Sequence, residues 1–251
     1  LKQALRNREQ LFAAWVSYAH PSISETFAKA GFDFIAIDME HSTISLSESQ
    51  RIIAACQSEG VPCLPRPVSH SNDYIKPLLE SAADGMLIQM VNTPDEVTNL
   101  INDLKYPPIG KRSYGVSRAQ GYGFDFKEYI TKWNESSSFI IQIESIEAVN
   151  NIEELLAFDE IDAVMVGPYD ISGSLGVPGH LDHPKVIDAS KKVIKACENH
   201  GKSCGTQLND PNQKNIQSLF DLGYTYAILG SDLFVLWKWA EKMQLIIKSM
   251  R

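Results

Sequence analysis

No stretch of the chain stays apolar for the roughly 20 residues that a membrane-crossing helix needs. The opening Leu1-Lys2-Gln3 also lacks the apolar core of a secretory signal. A cytoplasmic protein with no membrane partner is expected. Positive charge is scarce: 23 Lys and Arg face 31 Asp and Glu, a formal net charge of -8. That balance argues against a nucleic-acid partner, because phosphates need a basic footprint. It leaves small anionic substrates open, since these respond to the local field of a cleft. Cysteine is sparse as well. Cys56, Cys63, Cys197 and Cys204 form no Cys-x-x-Cys pair, and two of them fall inside helical patterns. Buried free thiols in a reducing compartment are expected, not disulfides or zinc. Low-complexity tracts, linkers and strong internal repeats are missing too.

What is present alternates. Short apolar runs at 11–17, 33–38, 62–66, 86–91, 139–143, 163–166, 203–208 and 226–229 are β-branched and nearly continuous. Parallel strands covered on both faces have that texture. Between them lie helical patterns. Ser45 and Glu48 make a capping box ahead of Ile52, Ile53 and Cys56. Thr93, Pro94 and Glu96 supply an N-cap, a first-turn proline and a third-position acid before Val97, Leu100, Ile101 and Leu104. Asp210-Pro211 is expected to open another helix, which Gly223 would stop. Strand–helix alternation means βα units and a parallel sheet. Eight strands in 251 residues suit an α/β fold of the (β/α)8 TIM-barrel type in a single domain over 1–251. A doubly wound open sheet has the same local signature. The longest irregular part, 106–123, is suited to shaping a site, to an oligomer contact, or to an ordered surface loop.

A barrel of this kind does its chemistry at the C-terminal ends of its strands. Those ends carry Asp38, Glu40 and His41, then Arg66, then Gln142 and Glu144, then Gly167-Pro168-Tyr169-Asp170. Glu144 and Asp170 have the hard oxygens that Mg2+ or Mn2+ prefers; either acid alone is equally a helix cap or a solvated rim group. His41 close to two carboxylates suits a general base, or a structural histidine. Arg66, stiffened between Pro65 and Pro67, suits a clamp for a carboxylate or an enolate oxygen, or an ion pair with a neighbouring strand end. No lysine ends any of these strands, so Schiff-base chemistry lacks its nucleophile and a metal is expected as the electron sink.

Five ordered stretches make the chain recognisable: Gly31-Phe-Asp-Phe-Ile-Ala-Ile-Asp-Met-Glu-His41, Pro65-Arg66-Pro67, Tyr106-Pro-Pro-Ile-Gly-Lys-Arg112, Gln142-Ile-Glu144, and Gly167-Pro-Tyr-Asp170-Ile-Ser-Gly-Ser-Leu-Gly176. Together they resemble the HpcH/HpaI family of class II pyruvate aldolases, over nearly the whole chain. The resemblance implies a barrel in a homohexamer with the last helices exchanged between neighbours, and a divalent Mg2+ or Mn2+ (or Co2+) held by Glu144 and Asp170. It implies His41 as base with Asp38 as its paired acid, and Arg66 as the group that stabilises the enolate. Substrate contacts would come from Gln142, Arg66, Gly167, Pro168, Tyr169 and Asp170. Three departures stand out. Glu80 replaces an aspartate that in the family raises the basicity of the histidine, Gln89 replaces a common proline, and Ser113 replaces a glycine after Arg112.

The reaction so implied is reversible aldol cleavage of a 4-hydroxy-2-oxo acid to pyruvate and an aldehyde, with His41, Arg66, Asp38 and Glu80 carrying it. A citramalyl- or malyl-CoA type lyase on the same barrel is the alternative, but no basic stretch suits a nucleotide tail. A catalytically silent scaffold is the third reading.

Overall fold

A computed structural model describes all 251 residues. Eight parallel strands form one sheet: β1 (Leu11–Val16), β2 (Phe34–Asp38), β3 (Cys63–Arg66), β4 (Gly85–Ile88), β5 (Ser138–Ile143), β6 (Ala163–Val166), β7 (Ser203–Leu208) and β8 (Tyr226–Ser231). Their spatial order is β3-β2-β1-β8-β7-β6-β5-β4. The two ends of that order meet where the Asp84 N–H donates to the Cys63 carbonyl at 3.1 Å, bringing the barrel nearly to closure. The closed arrangement, not the open sheet, is therefore the fold.

Period-two alternation decides what each strand shows to each side. Leu11, Ala13 and Trp15 of β1, Phe34 and Ala36 of β2, and Tyr226 and Ile228 of β8 belong to a buried cluster of 13 inside the barrel. The alternate residues, such as Ile35 and Ile37, join a 44-residue layer between barrel and helices. Each fully buried aliphatic side chain there contributes roughly 1.5–3 kcal/mol. The interior has no spare room. A Cβ on Gly205 would meet the Tyr226 ring at 2.3 Å, so only glycine fits opposite that ring.

The N-terminal end of the barrel is sealed by the short helix Lys2–Arg6. Its Leu5 is fully buried in the inner cluster. Lys2 and Arg6 grip the buried Asp162 carboxylate at 2.8 and 2.7 Å. Polar chemistry is thereby confined to the opposite end.

The capping boxes at Ser45/Glu48 and Thr93/Glu96 are both formed. The helix expected from Asp210-Pro211 instead runs Gln213–Asp221, capped by Asn212 reciprocating with Asn215. That pair satisfies the N–H groups of Asn212 and Asn215, whereas the Asp210 side chain caps none of the first turn. The fourth apolar run, expected over 86–91, leaves the sheet after Ile88, and Met90 turns into the left-handed region at φ 50°. The 106–123 segment packs on the barrel's flank. Its Arg112 is buried and lies over the rings of Tyr106, Tyr129 and Trp133 at 4.7, 5.5 and 4.8 Å. The last helix, Asp232–Ser249, buries only Asp232 and leaves Trp237, Trp239 and Leu245 more than half exposed. No helix is long and apolar enough to cross a membrane.

Candidate active site

Strand parity carries beyond the apolar residues into the polar ones. Asp38 follows Phe34 and Ala36 on the inner face of β2, and Arg66 follows Leu64 on β3. Gln142 and then Glu144 follow Ile140 on β5. All four line a cavity of about 360 Å³ at the C-terminal mouth. The turn after β6 and the helix Pro168–Ser174 add Gly167, Pro168, Tyr169 and Asp170 to the same cavity, and His41 stands on its rim. Eight elements supply the barrel, yet the candidate residues from four of them converge here.

A chain of hydrogen bonds fixes the floor. Arg66 is only 7% exposed. Its Nη2 lies 2.8 Å from Asp38 Oδ1, its Nη1 donates to Gln142 Oε1 at 3.2 Å, and its guanidinium sits 4.6 Å above the Trp15 ring. Gln142 Nε2 donates onward to Glu144 Oε1 at 3.0 Å, and the Met90 N–H donates to Glu144 Oε2 at 2.9 Å. Gly167 closes over the same carboxylate: a Cβ there would meet Glu144 Cγ at 2.7 Å.

Burial pushes the Glu144 carboxyl up to about 7; the Met90 hydrogen bond opposes this, while the charges of Asp170 and Glu40 add to it. Amides are its only hydrogen-bond donors, and no Lys, Arg or His is within ion-pair distance of it. A buried acid that lacks a cation, in one cavity with a second acid, fits a hard divalent ion. No three or more His, Cys, Asp or Glu side chains cluster as a metal site. Glu144 and Asp170 would thus be the protein's whole contribution, leaving open positions for water and substrate.

The histidine's surroundings differ from expectation. Asp38 Oδ1 accepts from the backbone N–H of His41 at 3.0 Å and otherwise serves Arg66. The acid beside the imidazole is Glu40, whose Oε2 lies 3.6 Å from His41 Nε2 and 3.0 Å from Arg66 Nη1. Burial raises the Glu40 carboxyl above its usual range against the pull of Arg66 and His41. Glu80 is placed elsewhere. It ends the helix Asn72–Glu80 and accepts from Arg112 Nη2 at 3.0 Å and Ser117 Oγ at 2.5 Å. Burial pushes its carboxyl up, but those bonds outweigh it and hold the carboxyl below its usual value. Within the chain Glu80 does not line the cavity and does not meet His41. The reason is topological: a helix following a barrel strand runs back, so its last residue lies toward the sealed end.

Sequence reasoning placed Glu40 at the strand end beside His41 but gave it no role of its own, and it left out Trp15, Ser17, Thr206, Gln207 and Asn209, which also line the cavity. The alternation that placed Asp38 and Arg66 extends to most of these. Ser17 lies two residues beyond Trp15, and Gln207 and Asn209 continue from Gly205.

A nearly closed parallel barrel, plugged below and carrying its ionisable groups at the C-terminal mouth, is the construction of a barrel enzyme. Residues 11–238 match the family model described as HpcH/HpaI aldolase/citrate lyase. A hydroxypyruvate/pyruvate aldolase from Roseobacter denitrificans is 32% identical over 238 residues, 94% of this chain and 91% of that protein. A 2-keto-3-deoxy-L-rhamnonate aldolase from Escherichia coli O157:H7 is 31% identical, covering 92% of this chain and 86% of its own length. The crystal structure of an HpcH/HpaI aldolase from Desulfitobacterium hafniense superposes with a TM-score of 0.89 at 26% identity, over 99% and 96% of the two chains. The chain belongs to the HpcH/HpaI aldolase/citrate lyase family, and with it to the carbon–carbon lyases.

Proposed function

We propose that the chain cleaves a 4-hydroxy-2-oxo acid reversibly to pyruvate and an aldehyde. The observation that carries this reading is Glu144, a buried acid without a cation, sharing a cavity with Asp170 and tied through Gln142 to Arg66. The relatives named for hydroxypyruvate, pyruvate and 2-keto-3-deoxy-L-rhamnonate support the same substrate class. Glu144 and Asp170 would hold Mg2+, Mn2+ or Co2+. Such an ion, when bound, supplies Lewis acidity toward the carboxylate and 2-oxo oxygens of the substrate.

The remaining work falls to the chain's own residues. His41, with Glu40 beside it, takes the proton from the 4-hydroxyl as the C3–C4 bond breaks, and the aldehyde leaves. The bond's electron pair passes into the pyruvyl fragment as an enolate. Arg66, held by Asp38 and Gln142, donates to the enolate oxygen until C3 takes a proton from water and pyruvate results, and His41 returns its own proton to solvent. Gln142, the backbone from Gly167 to Tyr169, and Asp170 orient the oxo acid. Asp38 acts by holding Arg66 and the turn that presents His41. Glu80 is a structural acid in this reading.

Residues 1–251 are read as one barrel domain working in the cytoplasm as a homo-oligomer, a hexamer by resemblance. The apolar flank of the helix Asp232–Ser249 would be covered by a neighbour, as an exposed patch of that kind requires. A coupled assay of pyruvate release from a panel of 4-hydroxy-2-oxo acids, with each metal and with chelator, tests the function. Pyruvate release that persists after complete metal removal refutes the metal assignment. Turnover confined to acyl-CoA substrates refutes the aldol reading.

A further inference from the structure

The cavity is charged on one side only. In spatial order round the barrel, Asp38 on β2, Arg66 on β3, Glu144 after β5 and Asp170 after β6 occupy one arc. That arc runs β2-β3-β4-β5-β6; the three strands outside it, β7, β8 and β1, form a continuous arc whose contributions carry no charge: Ser17, Gln207 and Asn209, backed by Trp15, Leu233 and Phe234. The one acid near this arc, Asp232, is buried, and its carboxylate is occupied by the backbone N–H groups of Ser17, Tyr18 and Leu233 at 2.9, 2.9 and 2.8 Å.

The polar groups of the neutral arc divide in two. The Thr206 hydroxyl donates to the Val166 carbonyl, and the Ser231 hydroxyl accepts from Phe234 N–H. The Ser17 hydroxyl and the side-chain amides of Gln207 and Asn209 have no such partner in the chain and remain free to bond a ligand. All three line the cavity, and Gln207, the one within a strand, falls on the same face of β7 as Gly205. Gly205 has no side chain because the Tyr226 ring fills its place, and Gln207, two residues on, projects above that ring.

Asp38, Glu40, Glu144 and Asp170 face a single guanidinium, and no Lys or second Arg lines the cavity. A divalent cation and a 2-oxo acid carboxylate together leave that balance negative. A second anionic group on the substrate would meet repulsion and find no cation, in a partly desolvated cleft.

We propose that the β7–β8–β1 arc is the acceptor subsite, that it selects short, uncharged, hydroxylated aldehydes, and that Gln207 and Asn209 are its specificity-determining residues. The proposal rests on the aldol reading of the site. Amides offer both a donor and an acceptor to a substrate hydroxyl, and Leu233 and Phe234 give its carbon chain an apolar backing.

The test is condensation of pyruvate with matched aldehydes by the full-length protein, as purified and supplied with Mn2+. Lactaldehyde and propanal differ by one hydroxyl; succinic semialdehyde and butanal differ by a carboxylate in place of a methyl. Lactaldehyde is expected to exceed propanal in kcat/KM by about five- to tenfold, the worth of one hydrogen bond. Succinic semialdehyde is expected to fall at least about tenfold below butanal, more than 1.4 kcal/mol of charge repulsion. Gln207→Leu and Asn209→Leu should each reduce the lactaldehyde-to-propanal ratio. Asn209→Arg should raise the succinic semialdehyde-to-butanal ratio. Because each readout is a ratio within one variant, partial misfolding cancels. Succinic semialdehyde used as well as butanal, or a hydroxyl preference that survives both leucine variants, overturns the proposal while leaving the aldol reading intact. Failure to condense any aldehyde sinks the aldol reading and this proposal with it.

Discussion

Removing the negative charge of Glu144 tests the metal assignment at its root. Its carboxyl is pushed from 4.5 up to about 7, chiefly by burial, in a chain without metal. Between those two values the folded metal-free protein holds a proton that the unfolded chain releases. Folding stability is then complete below about pH 4.5 and declines by about 1.4 kcal/mol per pH unit as pH rises toward 7. The total is on the order of 3 kcal/mol, and it needs little discount for solvent because Glu144 is 6% exposed. Glu144→Gln abolishes the titration. In chelator the variant should unfold at higher urea than the parent at pH 8, and at about the same urea near pH 5. Metal binding requires the deprotonated acid, so the Mn2+ Kd of the parent should weaken about tenfold for each pH unit below 7. Urea unfolding in chelator and calorimetric Mn2+ titration from pH 5.5 to 8 measure both effects. A metal-free stability that does not change with pH between 5 and 8, together with a Mn2+ affinity indifferent to pH, would rule out Glu144 as the buried metal ligand.

Three further outcomes follow from the geometry. Arg66→Ala should lower kcat by on the order of 10²–10³ with metal still bound, as loss of an oxyanion donor does; near-normal turnover discards its role. Gly167→Ala forces a Cβ to within 2.7 Å of Glu144 Cγ and should weaken Mn2+ binding by about tenfold or more with the far-UV spectrum unchanged. Glu80→Gln strips the buried Arg112 of its only carboxylate and should destabilise the fold by about 1–3 kcal/mol at pH 7. Because the Glu80 carboxyl is held below its usual value, its contribution should be lost in the parent as pH falls through the acid range. The pH profile of kcat/KM should not move in Glu80→Gln; an acidic limb shifted to lower pH would mean that Glu80 does reach the histidine base, in the oligomer if not within the chain.

Much of the barrel was legible because its signals are local. A capping box closes over four residues, and Ser45/Glu48 and Thr93/Glu96 formed as read. An apolar run either alternates or does not, and all eight became strands to within a few residues. Asp38, Arg66, Gln142 and Glu144 were found at strand ends because a strand's C-terminal end is visible in one dimension.

What the chain could not declare in one dimension is which side chains meet. That Asp38 holds Arg66 and a backbone N–H, while Glu40 stands beside the imidazole, depends on how β2 and β3 align, Asp38 opposite Arg66. That Glu80 sits with Arg112 depends on the direction a helix takes back along the barrel. The uncharged arc of β7, β8 and β1 exists only because the sheet curls until the first and last strands are neighbours. Periodicity fixes the face a residue takes on its own strand. Barrel closure alone decides the company that face keeps, since it joins residues whose separation along the chain carries no information about their distance.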